Sequence, residues 1–415
     1  MLNDDSALEP HNDHCVGPCP AAGGHRVDPR AAGRLSLRFL LPGLVAAWWL
    51  CVAVQAAETN VPPRPSRGYT YAHDQVAEMP WSVHIFKLDR SHPDLGFATT
   101  IGSGGTIGLG TITQQLKQLP AHAGKPVAAV NGDFYDTGRE YMGRPRDLQI
   151  QFGELITSPS GHAVFWMDPT GSPRFTNLTS HFRILWPDGA VQPFALNGPR
   201  GSEEAVLYTG RMGASTHTSG GTELVLEEIP GRPCLPMQAG RTNAARLKEV
   251  RNGGDAPIGT GTMVLSLGPK LAGRLTLPTN GATLTFITET SPDLAGVETA
   301  IGGGPTLVRQ GKPAQWGGIQ LRHPRTAIGW NRESIFLVEV DGRQNGLSIG
   351  MTLPELAAYM AKLGCDEAMN LDGGGSATFW ACGNVMNSPS EGHERPVANA
   401  LVVIDRNPAQ AQVRR

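Results

Sequence analysis

Residues 367–380 read EAMNLDGGGSATFW. A short apolar run of Ala368, Met369 and Leu371 stops at Asn370 and Asp372, and three glycines, Gly373, Gly374 and Gly375, lead on to Ser376 and Thr378. Glycine adds no side chain to a core and loses more backbone entropy on folding than any other residue. Three in a row beside a carboxylate therefore suit a main chain that turns sharply and comes close to a ligand. The plain alternative is a tight turn with incidental polar groups. On the N-terminal side lies a marked helix: Thr352 and Glu355 have capping-box spacing, Leu353, Leu356, Ala357, Met360 and Leu363 recur at helical intervals, and Gly364 supplies the stop. Helix, glycine stop, short strand and glycine-rich loop with an acid predict a site at a strand end.

Further out, the same style repeats. Residues 335–340 (IFLVEV) predict a buried strand ending at Asp341, Gly342 and Arg343, while Arg322, His323, Pro324, Arg325 and Thr326 lead into a bend at Gly329. Gly302, Gly303, Gly304 and Pro305 predict another glycine turn, and 397–405 a last strand. Residues 81–88 alternate like a half-buried strand, 111–119 predict a short helix ended by Pro120, and 148–156 a hairpin turning at Gly153. Residues 126–131 (PVAAVN) form a buried strand that delivers Asn131, Gly132, Asp133, Phe134 and Tyr135 at its end, a second polar cluster. The stretch 185–297 is rich in Gly, Pro and Thr with short apolar runs at 223–227, 262–267 and 283–287, and 241–251 reads as a helix or long loop. This is the signature of a β-rich region inserted in one domain spanning 57–405, followed by a polar tail at 406–415.

Bulk properties narrow the function. The chain has 415 residues, ample for a core, and a formal net charge of -2 with 17% charged residues, so no basic face for nucleic acid is indicated. Gly 52 and Pro 33 against that low charge predict many turns between short strands. Arg34 and Arg38 precede an apolar run at 39–54 that Pro42 interrupts, and Val54-Gln55-Ala56 reads as a cleavage site before Ala57. A run of about sixteen residues is short for a membrane span. A secreted or periplasmic protein with no lasting membrane insertion is expected, an uncleaved anchor flanked by Trp48 and Trp49 being the alternative. Removal of 1–56 leaves Cys234, Cys365 and Cys382, of which Cys365 and Cys382 bracket the glycine loop closely enough to consider a bridge; none has zinc-ligand spacing. The oligomeric state stays open.

RTAIG at 325–329, the strand ending in DGR, the capped helix and NLDGGGSAT at 370–378, in that order, resemble the phosphodiester glycosidases. The best-known member of that family is the lysosomal uncovering enzyme, which removes N-acetylglucosamine from phosphodiester-blocked mannose 6-phosphate. VNGDFYD near residue 131 and GELITSP at 153–159 look like further family segments, so the resemblance covers most of 128–404. It implies an α+β fold of mixed or antiparallel sheets with few helices, and hydrolysis of a sugar-1-phosphodiester at the anomeric carbon.

Ordinary glycosidases need an acid for a poor alkoxide leaving group and a second carboxylate for water or the sugar. Here the leaving group is a phosphate ester, a much weaker base, so a cation for the phosphate matters more than an acid. Arginine matches two phosphate oxygens with a fixed charge, which makes Arg325 the first candidate and Arg343 the second. Backbone N–H groups of Gly303, Gly304, Gly373, Gly374 and Gly375 can reach the same phosphate, with Thr326 and Ser376 beside them. Asp372 is the first candidate for base or nucleophile, followed by Asp133 and Asp341; Asn131 and Asn370 would orient sugar hydroxyls or water. Each residue has a structural reading as well. Arg325 could be a buried partner of Asp341, Asp133 an Asx turn, His323 positional, and Ser376 a loop cap, since no G-x-S-x-G surrounds it. No cofactor is expected. A rival reading gathers Asp133, Asp341, Asp372 and Asn370 around Mg²⁺ or Ca²⁺ to break the P–O bond; another makes the same loops a non-catalytic binder of envelope glycans.

Overall fold

The computed structural model describes residues 67–407, apart from Ala77 and Ser103. The expected signal segment and cleavage site, and the tail beyond 407, lie outside the described residues. Alternation dictates the architecture. In the strand Trp81–Asp89, Phe86 and Leu88 face one way, and Val83 and Ile85 the other, and all four are buried. Such a strand needs cover on both faces. It belongs to a seven-stranded antiparallel sheet ordered Tyr69–Val76, Trp81–Asp89, Ser334–Val340, Arg325–Trp330, Glu367–Asn370, Thr306–Arg309, Lys312–Pro313. One face packs Phe86, Ile328, Leu337 and Met369 against Val130, Phe379 and Leu401 of a five-stranded sheet centred on Lys125–Asn131. The other face packs Val83, Ala327 and Val338 under the helix Leu353–Lys362. The five-stranded sheet is backed in turn by the short helix Ile112–Lys117 through Ile112 and Leu116. The result is helix, sheet, sheet, helix, mostly antiparallel and poor in helix.

A second five-stranded sheet, ordered Glu154–Thr157, Gln149–Gln151, Thr299–Gly303, Ala163–Met167, Pro173–Asn177, adds Phe165, Phe175 and Ile301 to that core. Its opposite residues, Ile150, Leu155, Val164 and Ala300, join a separate core with Ile184, Leu224, Leu265 and Phe286 of an eight-stranded sheet. The strands of this last sheet run from Thr179–Leu185 to Thr283–Ser291, and Ala195–Leu196 with Ala205–Tyr208 is its parallel pair.

The long helix forms as its caps predict. Thr352 Oγ1 accepts the Glu355 N–H at 3.2 Å, Glu355 Oε2 accepts the Thr352 N–H at 2.8 Å, and Gly364 follows with φ 86°. Thr352→Ala is expected to lower stability by about 1 kcal/mol, read as a drop in urea midpoint at unchanged slope.

Several expectations are corrected, the plainest being the bend at Gly329, which lies inside the strand Arg325–Trp330 and is paired on both sides. Residues 241–251 are neither helix nor loop: Thr242–Asn252 is a strand paired on both sides, with Ala245 and Leu247 buried and Arg246 bonded outward to Glu227 across the ladder. Helix-forming side chains there are overruled by two neighbours offering main-chain partners. Gly302 and Gly303 are not in a turn but in the strand Thr299–Gly303, and only Gly304, φ 116°, has the left-handed backbone a turn glycine supplies. Cys365 is a free buried thiol, so the bridge to Cys382 does not form. Cys365 lies in the core beneath the long helix, whereas the main chain of Cys382 bonds to Val127 of the other sheet.

Candidate functional site

The strands Lys125–Asn131 and Glu367–Asn370 end at the same edge of the sandwich, where their polar residues are laced together. The Asp372 N–H donates to Gly132 O at 2.9 Å, and Asn131 Nδ2 donates to Asp372 O at 2.6 Å. Asn131 Oδ1 accepts from Thr326 Oγ1 at 2.7 Å and from the Thr378 N–H at 3.2 Å. An amide is suited to this place because it donates and accepts at one point. Asn131 and Thr326 are thus absorbed in joining strand ends. Asn370 donates to Gly304 O at 2.9 Å and Leu371 O at 2.6 Å, while its buried Oδ1 meets no donor among the described residues.

Asp133 is 3% exposed. Its N–H donates to Asn399 Oδ1 at 2.9 Å, and its Oδ2 accepts the Asp147 N–H at 2.7 Å. Burial pushes its carboxyl up to about 8, assisted by the charges of Asp147 and Asp372 and opposed by main-chain N–H groups of Asp147 and Phe134. Gly302 is glycine for this acid's sake: a Cβ there would lie 2.5 Å from Asp133 Oδ2 and 2.7 Å from Asp147 Cβ. Asp147 itself is saturated, taking the N–H groups of Leu148 and His162 at 2.7 and 2.9 Å and the Ser160 hydroxyl at 2.6 Å. It braces Asp133 and has little left for a ligand.

Asp372 is half-buried, and burial raises its carboxyl above the usual range. The Ser376 hydroxyl, the Gly373 N–H at 2.9 Å from Oδ1, and the positive charges of Arg395 and Arg146 pull the other way. Ser376 is therefore a partner of the acid. The glycine loop passes close to its neighbours throughout. A Cβ at Gly303 would meet Asn370 O at 2.8 Å, one at Gly373 would meet Pro324 O at 2.7 Å, and one at Gly374 would meet Arg343 Nη2 at 3.0 Å. At Gly375 it would collide with the Arg395 guanidinium, which pairs with Glu391.

The two arginines stand beside this loop. Arg325 donates from Nε to Met351 O at 2.9 Å and from Nη2 to Leu321 O at 3.0 Å. Arg343, with φ 61°, brings Nη2 within 3.2 Å of His323 Nδ1. Burial, then Arg343, lowers the Arg325 value, and burial with both arginines lowers that of His323, which favours a neutral imidazole. Neither arginine makes an ion pair with a carboxylate among the described residues. The alternative that pairs Arg325 with Asp341 is not what forms. Asp341 is 1% exposed and turned into the space between the sheets. It accepts from Ser82 Oγ at 2.8 Å and the Ser388 N–H at 2.8 Å, and His84 Nε2 lies 3.2 Å from its Oδ2. Among the described residues the acid groups with His84 and Glu339 and not with Asp133 or Asp372.

Sequence reasoning passed over Asp147, Ser160, Asn399, Arg146 and Arg395. Asp147 and Asn399 each lie just before a strand, the opposite end from Asn131 and Asp133, which close theirs, and the others carry no local signal.

Residues 243–404 match the family described as Phosphodiester glycosidase. Over 114 residues the chain is 32% identical to the SPbeta prophage-derived uncharacterized protein YomE of Bacillus subtilis (strain 168), a match covering 26% of this chain and 18% of that one. Over 74 residues it is 41% identical to the N-acetylglucosamine-1-phosphodiester alpha-N-acetylglucosaminidase of Bos taurus, covering 18% of this chain and 14% of the relative. These matches span less than a fifth of the length of either relative. A hypothetical protein from Synechocystis, known from its crystal structure, superposes with a TM-score of 0.63 at 19% identity, over 81% of this chain and 62% of that one, a likeness of fold alone. The resemblance carried by the glycine loop is thus to the phosphodiester glycosidases, and it extends across 243–404. Among the described residues no helix is long and apolar enough to cross a membrane.

Proposed function

We propose that the protein is a secreted or periplasmic hydrolase that cleaves the glycosidic C–O bond of a sugar-1-phosphodiester, the sugar being of the N-acetylglucosamine type, in envelope or exopolysaccharide metabolism. The observation that carries this reading is the pair of arginines that have no carboxylate partner among the described residues and stand beside the glycine loop of Asp372. The fork of Arg325 has two carbonyl anchors that fix its plane, and with Arg343 it would hold the phosphate. Because the departing group is a phosphate ester, its bond to carbon breaks without an alkoxide to protonate. Asp372 acts on the anomeric carbon or on the water that attacks it. Asp133, holding a proton near pH 7, is a neutral hydrogen-bond donor alongside it and spares the site a second negative charge. Asn370 Oδ1, buried without a donor, is the acceptor for a sugar hydroxyl or water.

The test is turnover of UDP-N-acetylglucosamine in H₂¹⁸O. Free N-acetylglucosamine carrying the label at its anomeric oxygen, with unlabelled UDP, is expected, since water attacks carbon. Label appearing in a phosphate product would mean P–O cleavage and would overturn the assignment.

A further inference from the structure

Away from the glycine loop, one row of polar residues crosses four adjacent strands. His73 pairs in register with His84, His84 with Glu339, and Glu339 with Thr326. In their strands His84 and Glu339 share a face with Phe86, Ile335 and Leu337, the apolar face of the central core. They are 3% and 0% exposed. Placing charge there is unfavourable unless it is paired. Yet among the described residues neither carboxylate oxygen of Glu339 has a hydrogen-bond partner. The Asn387 amide is close enough to favour the ionised form, but it is directed to Asp341 Oδ1 at 3.4 Å and Ala377 O at 3.3 Å. Asp341, two residues on and equally buried, adds a second carboxylate, and no arginine or lysine pairs with either acid among the described residues.

We propose that His84, Glu339 and Asp341 form a binding site for a first-row divalent transition metal, Zn²⁺ or Mn²⁺. One donor atom from each lies within 4.8 Å of the others. Ligands about 2.1 Å from a tetrahedral ion are about 3.4 Å apart, and His84 Nε2 to Asp341 Oδ2 is 3.2 Å. Glu339, whose two oxygens have no hydrogen-bond partner among the described residues, would close the remaining gap. An imidazole with two carboxylates suits zinc or manganese better than calcium, which takes six or more oxygens. The surroundings have the character of an outer shell. Tyr71 Oη lies 2.8 Å from His84 Nδ1, so with the proton on Nδ1 donated to the phenol the Nε2 lone pair faces the carboxylates. Burial, then the charges of Glu339 and Asp341, pushes Tyr71 up to about 12 and keeps it a phenol. Ser82 and Ser388 orient Asp341. The ion would tie Trp81–Asp89 to Ser334–Val340 just ahead of Arg343, serving to position that arginine and not to contact substrate.

The test is metal content and stability of the full chain purified without chelator. After dialysis against metal-free buffer, about one equivalent of zinc or manganese per chain is expected, or its uptake when Zn²⁺ or Mn²⁺ is added back. EDTA should lower the melting temperature. Glu339→Gln should bind at least tenfold more weakly and lose the EDTA effect. Wild-type protein that neither retains nor takes up either ion overturns the proposal, whether or not the variant folds. So does a Glu339→Gln variant that keeps wild-type affinity.

Discussion

Asp372→Asn is expected to reduce kcat for sugar-1-phosphodiester hydrolysis by about 10²- to 10⁴-fold, the range for losing a positioned acid–base group. The fold should survive. Asn keeps the shape and still offers Oδ1 to the Gly373 N–H, and Asp372's main-chain bond to Gly132 is untouched. What disappears is the negative charge, which burial disfavours and the charges of Arg395 and Arg146 support. Those terms oppose each other, so the melting temperature should move little, and KM should change far less than kcat because the phosphate is held elsewhere. Turnover of UDP-N-acetylglucosamine and a thermal melt on the same preparation decide the matter. Near-normal kcat in a well-folded variant removes Asp372 from the chemistry. A collapsed melting temperature would mean that its carboxylate is needed for the fold.

How far the sequence carried depends on whether the information was local. The glycine loop could be read because each part of it is: an apolar run, an acid and three glycines with no room for a Cβ at Gly373 or Gly375. The helix before it could be read from the capping box of Thr352 and Glu355. Asn131 and Asp133 were found because a buried strand ending in polar residues is visible without knowing its neighbours. The use to which Asn131 is put was not visible, since its partners Thr326, Asp372 and Thr378 come from distant stretches. The same holds for His84. In WSVHIFKL it is one more residue of an alternating strand, and only its register opposite Glu339 gives it charged company. Residues 241–251 failed for the opposite reason. Their local preferences were legible but subordinate to pairing with strands on both sides. Gly302 shows the limit most plainly: a glycine next to another suggests a turn, whereas this one makes room for Asp133 across the sheet.

Asp133→Asn should separate activity from stability through pH. The folded protein holds the Asp133 carboxyl near 8 against an ordinary 3.8. Between those values the folded chain keeps a proton that the unfolded chain has released, so the acid's contribution to stability falls as pH rises from about 4 to about 8 and is level above. Asparagine has no proton to lose, while its Oδ1 can still accept the Asp147 N–H. The stability of the variant relative to wild type should therefore climb between pH 5 and pH 8, with an upper limit of roughly 4 kcal/mol at about 1.4 kcal/mol per pH unit. Activity should show the complementary sign. The wild-type kcat/KM should fall as pH passes about 8 and the donor ionises, whereas Asp133→Asn should be slower by about 10²-fold or more and lack that descending limb. Urea unfolding of both proteins at the two pH values, with a pH–rate profile, tests this. An equal stability difference at pH 5 and pH 8 would mean that Asp133 ionises in the ordinary range, as an acid already paired with a cation would, and the neutral-donor role would have to be given up.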